Sequence, residues 1–329
     1  MPRVFVTPSI LHEMPGPYRD VLERGGLEVV YPPANAFILL GNPENLKQHL
    51  QGIDAVLAST EPYTPDVLAS SRLRVIARMG VGYDSIDIPA ATRLGVAVTT
   101  TPGTNEHSVA EQTIALMTGV LRGFPRRYRE VLSGAWTKRS LPRLAGKTLG
   151  LVGLGRIGKA VVRRAQGLGM KVIAFDPCCD RAFAEANQVE VFSFEDLLRR
   201  ADVVSLHLPS LPETQDLINA RTLAMMKPGA VLINTSRGSL VDEDALCEAL
   251  RSRHLFGAGL DVYKVEPLPT TSPLLAMDNV LVSPHMGGLD EESEVAMSQM
   301  AAQCIVDLFQ GRWPEGCVIN STLRDTYRW

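Results

Sequence analysis

The stretch Thr148-Leu149-Gly150-Leu151-Val152-Gly153-Leu154-Gly155-Arg156-Ile157-Gly158 governs how the rest of the chain is read. An apolar run too short for a buried helix enters G-x-G-x-x-G and continues into the helical stretch Lys159 to Leu168, the order of a strand, a phosphate loop and a helix. Gly153 permits the tight turn, Gly155 lets backbone approach a pyrophosphate, Gly158 lets helix and strand pack closely, and the helix N-terminus turns N–H groups toward the anion. A lone glycine triplet is weak evidence. Here Lys171 to Asp176 reads as the next strand and ends in a carboxylate 18 residues after Gly158, about the spacing of a group that binds a ribose diol. That carboxylate repels a 2′-phosphate, and no cation follows until Arg181, so the pattern predicts NAD(H) rather than NADP(H).

The same rhythm of short apolar runs and helical segments continues on both sides of the loop. Asp202 to Leu208, Ala230 to Thr235, Gly257 to Val262 and Asn279 to Ser283 follow it; Arg3 to Thr7, Leu27 to Tyr31, Asp54 to Ser59, Arg74 to Arg78 and Val96 to Thr99 precede it. Strands rich in Val, Ile and Leu that alternate with helices predict parallel sheets covered on both faces. The chain therefore reads as two α/β domains, each a doubly wound parallel sheet. Their junction lies near Thr101-Pro102-Gly103. Ser108 and Glu111 are spaced for a capping box on the next helix, which carries Val109, Ile114, Leu116, Met117, Val120 and Leu121 on a broad apolar face. A last helix, Glu291 to Gln310, has no strand left to cover in the second series and is expected to return to the first. The boundaries so predicted are 1–102 with 289–329 for a substrate domain and 103–288 for a cofactor domain inserted into it.

Composition narrows the chemistry. At about 150 residues per domain, a length of 329 suits two. With 33 Lys+Arg against 36 Asp+Glu and 6% aromatics, the chain has no field to hold a polyanion, so nucleic acid and anionic membrane are poor partners. Six His and five Cys show no C-x-x-C or H-E-x-x-H spacing, and no metal site is predicted. Adjacent Cys178 and Cys179 in an odd set suit the reduced thiols of a cytoplasmic protein. No apolar run approaches the roughly 20 residues of a membrane span, and the start Met1-Pro2-Arg3 lacks the core of a signal peptide.

Ligands of an open parallel sheet bind beyond the carboxyl ends of its strands. There the second series presents Gly155, Asp176, His207-Leu208-Pro209, Thr235-Ser236-Arg237-Gly238, Asp261 with Glu266, and Pro284-His285. Hydride transfer to a 2-oxo acid needs a cation for the carboxylate, a proton donor for the carbonyl oxygen, and a carboxylate that keeps the donor charged. Arg237, His285 and Glu266 match that demand. Each alone has an ordinary reading, as a surface cation, a buried structural histidine or a turn residue. Three matched groups on one rim beside a cofactor loop do not. His12, His49, His107 and His254 read as surface or capping residues.

These motifs closely resemble the D-isomer-specific 2-hydroxyacid dehydrogenases, the family of phosphoglycerate, glycerate and D-lactate dehydrogenases and hydroxypyruvate reductases. The resemblance is carried by RMGVGYD (78–84), LVGLGRIG (151–158) with Asp176, INTSRGSLVDEDAL (233–246), GAGLDVYKVEP (257–267) and SPHMGG (283–288). It implies two flavodoxin-like or Rossmann-like domains with the active site in the cleft between them, and a homodimer formed through the cofactor domain. It also implies that Arg237 binds the substrate carboxylate and polarises the carbonyl, that His285 is the general acid/base, and that Glu266 is its paired acid. By the same resemblance Arg156 and Ile157 lie under the pyrophosphate. Thr235, Arg237, Asp261, His285, Gly287 and Gly288 lie near the nicotinamide, while His207, Pro209 and Thr214 form a cofactor-side loop. The N–H groups of Val81 and Gly82 converge on the substrate carboxylate. Asp290 stands where Thr is common and Arg253 where Gly often ends a helix. No regulatory amino-acid-binding domain is expected after the last motif.

Two questions stay open at this level. Arg72, Arg74 and Arg78 precede the Gly80-Val81-Gly82 loop, and one of them meeting a phosphate would suit 3-phosphoglycerate; hydroxypyruvate and glyoxylate demand no such cation. A corepressor-like protein of the same fold that binds NAD(H) without turnover is the alternative to an enzyme, and NADH oxidation separates the two.

Overall fold

Runs of Val, Ile, Leu and Ala buried on both faces form two all-parallel sheets in the computed structural model, which describes residues 1–329 apart from the side chain of Ile38. The chain divides into one unit of Met1–Asn105 with Asp290–Trp329 and a second of Glu106–Leu289. In unit 1, β1 (Arg3–Val6), β2 (Glu28–Val30), β3 (Ala55–Ala58), β4 (Val75–Arg78) and β5 (Ala97–Thr99) stand in the order β2-β1-β3-β4-β5, so strand order reverses between β1 and β3. The intervening helices are α1 (Pro17–Arg24), α2 (Pro43–His49), α3 (Pro65–Ala69) and α4 (Ile88–Arg93). Asn42, Thr64 and Asp87 cap the last three through side-chain oxygens, with a proline in each first turn where its missing N–H costs nothing.

Unit 2 opens with α5 (Glu106–Leu121) and α6 (Phe124–Leu132) and then winds β6 (Thr148–Val152), α7 (Arg156–Gly167), β7 (Lys171–Phe175), α8 (Arg181–Ala186), β8 (Glu190–Val191), α9 (Phe194–Arg200), β9 (Val203–Leu206), α10 (Ala220–Met225), β10 (Ala230–Asn234), α11 (Glu243–Arg251), β11 (Leu255–Leu260) and β12 (Val280–Val282). The sheet order is β12-β11-β10-β9-β6-β7-β8, the dinucleotide-binding order with a seventh strand, and it reverses between β6 and β9. One core lies on each face of the sheet. Leu206, Leu232, Leu246 and Leu260 belong to the first, and Leu151, Val161, Ala174 and Ile233 to the second.

Returning to unit 1, α12 (Glu291–Phe309) is capped by Asp290, whose Oδ1 accepts the Ser293 N–H at 2.6 Å. Its Met297, Ala301 and Ile305 share a core with Val4, Leu22, Leu57 and Ala77. Among the described residues no helix is long and apolar enough to cross a membrane, and all five cysteines are free thiols.

The structure departs from the sequence reading in local ways. α5 begins at Glu106, so Ser108 is buried inside the helix and no capping box forms there; Glu111 instead pairs with Arg164 at 2.8 Å. The apolar side of α5 is core, packed with Leu151 and Ile233. The two-residue β8 is too short to show a period, and α6, with Pro125, Arg126, Arg127 and Arg129, offered no apolar stripe of core width.

Candidate active site

The reversal point of the unit 2 sheet is built from glycine sterics. Gly153 has φ 107°, and a Cβ there would lie 2.6 Å from the His207 carbonyl oxygen. A Cβ on Gly158 would lie 2.4 Å from the Gly153 carbonyl oxygen. Both positions exclude every other residue. Gly155 is different, because nothing in the chain comes within 4 Å of a Cβ placed there. That open space lies over the start of α7, which has no side-chain cap among the described residues, so its first amides face a cradle fit for an anion. Arg156 and Ile157 form the first turn.

Asp176 closes the other side. Its Oδ2 accepts the Leu154 N–H and its Oδ1 the Cys178 N–H, each at 2.7 Å, which ties the carboxylate to the glycine loop and to the turn after β7. Lys159, a cation of α7, is engaged with Asp180 at 2.6 Å. A diol fits this carboxylate; a phosphate does not.

His207 follows β9, its Nε2 2.8 Å from Ser205 Oγ, while its buried Nδ1 has no partner among the described residues. Burial lowers its pKa to about 4, so the ring is neutral. Pro209 and Thr214 lie in the next loop, where the Thr214 hydroxyl donates back to the Pro209 carbonyl at 2.8 Å; its role is to shape that loop.

The loops after β10, β11 and β12 bring three of the candidate residues into one cluster. Asn234 at the end of β10 accepts the Ser236 N–H at 3.1 Å and donates to the Arg237 carbonyl at 2.8 Å, fixing the turn that presents Arg237. Its neighbour Gly238 touches the next loop so closely that a Cβ would fall 1.9 Å from the Tyr263 carbonyl carbon. Tyr263 donates its N–H to Glu266 Oε1 at 2.9 Å. Glu266 Oε2 then lies 2.6 Å from His285 Nδ1. Because a carboxylate only accepts, Nδ1 carries the hydrogen and Nε2 is left as the end of the ring that exchanges a proton. Burial pushes the Glu266 carboxyl up, but the hydrogen bond and charge of His285, the Tyr263 N–H and the Arg237 charge outweigh it and hold the group below its ordinary value.

His285 sits in the left-handed region at φ 52°, and Asp261 holds it there. The Asp261 carboxylate, 1% exposed, accepts the N–H groups of Met286 at 3.1 Å and Gly287 at 2.7 Å and the Ser283 hydroxyl. Its own carbonyl accepts the His285 N–H at 2.8 Å. Gly287 has no room for a side chain, since a Cβ would meet Asp261 Oδ2 at 2.8 Å, and Gly288 continues the turn. Thr235, 8% exposed, pairs its hydroxyl with Thr113 at 2.9 Å.

Several supporting residues escaped the sequence reading. Gln112 on α5 reaches Ser283 Oγ at 2.8 Å, and the Tyr263 hydroxyl donates to the Ser283 carbonyl at 2.9 Å. In unit 1, Val81 and Gly82 lie in the loop after β4, Val81 37% exposed. The four remaining histidines serve local packing: His12, His49 and His254 reach the carbonyls of Pro32, Asn45 and Leu223, and His107 lies near Arg164.

Comparison with known proteins shows the family. The family profile described as D-isomer specific 2-hydroxyacid dehydrogenase, NAD binding domain, matches residues 114–287. A D-3-phosphoglycerate dehydrogenase of Methanocaldococcus jannaschii is 39% identical over 91% of this chain, which spans 58% of that relative's length. A glyoxylate reductase of Korarchaeum cryptofilum is 36% identical over 98% of this chain and 97% of its own. Among solved structures, the D-lactate dehydrogenase of Aquifex aeolicus complexed with NAD and lactic acid superimposes with a TM-score of 0.83 at 26% identity, covering 97% of this chain and 99% of its own. The chain belongs to the D-isomer-specific 2-hydroxyacid dehydrogenase family, and its unit 2 is an NAD-binding domain.

Proposed function

We propose that the chain is an NAD(H)-dependent oxidoreductase that interconverts a D-2-hydroxy acid and a 2-oxo acid, with unit 2 holding the cofactor and unit 1 acting as the substrate domain. The observation that carries this reading is the 2.6 Å contact of His285 Nδ1 with Glu266 beside Arg237, on the same sheet edge as the Gly153–Gly158 loop.

NADH, when bound, supplies the hydride to C2 of the oxo acid. The amides at the start of α7 hold the pyrophosphate, Asp176 the ribose diol, and the neutral His207, Pro209, Thr214, Thr235, Asp261, Gly287 and Gly288 border the remainder of the cofactor. Arg237 binds the substrate carboxylate and polarises the carbonyl. His285 Nε2 gives its proton to the substrate oxygen during reduction and takes it back during oxidation. Glu266 keeps the ring oriented and stabilises the imidazolium. The names of the relatives point to 3-phosphoglycerate or to hydroxypyruvate and glyoxylate as the substrate class.

The protein is further proposed to act as a cytoplasmic homodimer. Support for the dimer comes from α6 and the segment after it, where Tyr128 is 68%, Leu132 70% and Trp136 81% exposed, apolar surface of the kind that marks an interaction site. The test of function is oxidation of NADH by the purified chain against a panel of 2-oxo acids. Turnover of at least one supports the reading, and failure across the panel despite tight NADH binding contradicts it.

A further inference from the structure

After β12 ends at Val282 the chain forms no further helix or strand in unit 2, which itself ends at Leu289. The turn that carries His285 at φ 52° is therefore held by side chains, and α5, the first helix of unit 2, supplies one of them. Gln112, half-buried on α5, meets the turn on both sides of the histidine. Its Nε2 donates to Ser283 Oγ at 2.8 Å. Its stem lies under Gly287, where a Cβ would come 3.4 Å from Gln112 Cγ.

The direction of these hydrogen bonds is fixed from the far end. A carboxylate only accepts, so the Ser283 hydroxyl points its one hydrogen at Asp261 Oδ1, and its oxygen is left to accept from a donor. The Gln112 amide is that donor. Asp261 Oδ1 also takes the Met286 N–H at 3.1 Å and Oδ2 the Gly287 N–H at 2.7 Å, while the Asp261 carbonyl takes the His285 N–H at 2.8 Å. The order Gln112, Ser283, Asp261 thus ends on the backbone of His285 and its two successors. Without the Gln112 donor the Ser283 hydroxyl is free to rotate away from the buried carboxylate.

The helix offers a fixed base for this contact. Leu116, Met117 and Val120 of α5 share a core with Leu151 and Ile233, and α5 sits so close to β11 that a Cβ on Gly259 would fall 2.9 Å from the Leu116 Cβ. Thr113, next to Gln112, donates its hydroxyl to the Val109 carbonyl at 2.8 Å and so accepts that of Thr235 at 2.9 Å. Neighbouring side chains of one helix brace the loop that leads to Arg237 and the turn of His285.

We propose that Gln112 is a positioning residue for proton transfer, which acts through Ser283 and Gly287 to hold the His285 ring with Nδ1 on Glu266 and Nε2 turned to the substrate oxygen. The assignment rests on the oxidoreductase reading above. Loss of one buried hydrogen bond shifts an equilibrium by about tenfold, and the fraction of enzyme with the ring in place falls accordingly.

The test compares two variants of the full chain. Gln112→Met keeps the stem against Gly287 and removes the donor; Gln112→Glu keeps the shape but replaces the donor by an acceptor that draws the Ser283 hydroxyl away from Asp261. Each is expected to lose about tenfold in kcat for 2-oxo acid reduction, with KM for NADH and for the oxo acid within about twofold of wild type. Ser283→Ala is expected to lose a similar factor, and adding Gln112→Met to it to cost little more, because both interrupt one chain of hydrogen bonds. Amide hydrogen exchange of the segment 283–289, read by mass spectrometry, is expected to be about tenfold faster in Gln112→Met. An active wild type whose two Gln112 variants keep its kcat, unmoved exchange in Gln112→Met, or fully additive losses in the double variant overturns the role of Gln112 and leaves the oxidoreductase reading standing. A wild type that binds NADH but reduces no 2-oxo acid overturns that reading, and the exchange rates then still decide whether Gln112 anchors the turn.

Discussion

Gly238 and Tyr263 are in backbone contact: a Cβ on the glycine would lie 1.9 Å from the tyrosine carbonyl carbon. This contact joins the loop that carries Arg237 to the loop that carries Glu266, with no side chain between them. Gly238→Ala must separate the two, at a cost of about 1–3 kcal/mol in stability. Misplacement of the reacting groups by about 1 Å lowers kcat by about 100-fold. NADH affinity, to which the Gly153–Gly158 loop and Asp176 also contribute, is expected to fall less than kcat. Thermal unfolding, steady-state kinetics and an NADH titration check this, and an alanine variant with wild-type kcat would show that the contact does not align the site.

Arg237 is presented by a turn that Asn234 fixes through two hydrogen bonds. A lysine reproduces the charge but not the planar pair of donors that fits a carboxylate. Arg237→Lys is therefore expected to lower kcat/KM by about 30-fold or more, chiefly through KM for the oxo acid. A fall in kcat with KM unmoved would argue against its binding the substrate.

Asp176 sets cofactor choice while it braces the glycine loop through the Leu154 N–H. Replacing it by Ser together with Cys178→Arg removes the charge that repels a 2′-phosphate and adds one that attracts it. The NADPH to NADH ratio of kcat/KM is expected to rise about tenfold or more. The KM for NADH rises as well, because the loop loses an anchor. An unchanged ratio would remove Asp176 from the cofactor site.

His207 provides a pH signature in stability. Its folded pKa is lowered to about 4, whereas the unfolded ring titrates at about 6.5. Between these values the unfolded chain binds the extra proton, so acidification from about 6.5 to 4 costs stability that is fully present above 6.5. His207→Gln is expected to flatten the denaturation profile across that window relative to wild type. Parallel profiles would mean that the ring is not held neutral.

Legibility tracked the range of each constraint. Gly153 turns the chain at φ 107° and Gly158 clears the Gly153 carbonyl within one strand-loop-helix unit, so their pattern is local and readable, whereas the crowding of Gly153 by the His207 carbonyl comes from a distant part of the chain. Asp176 was readable because β6 and β7 are consecutive and adjacent. Arg237, Glu266 and His285 were found through motif matches and through the rule that strand ends share a rim. Tertiary contacts were hidden. Nothing in the local sequence says that Gly238 meets Tyr263, that Gln112 reaches Ser283 across 171 positions, or that Asp261 is held among amides of the His285 turn. Periodicity could not tell which helix of unit 2 leaves apolar surface exposed; α5 is core and α6 is not.

The pairing of His285 with Glu266 is the center of the account, and pH–rate profiles in both directions test it most directly. With the wild type, kcat/KM for reduction of a 2-oxo acid is predicted to fall as pH rises and that for oxidation of the matching D-2-hydroxy acid to rise, both limbs governed by one group. Glu266→Gln removes the charge that stabilises the imidazolium, so both limbs are predicted to move to lower pH while the rate drops. Limbs that stay where they are in a folded, NADH-binding Glu266→Gln enzyme would contradict the pairing.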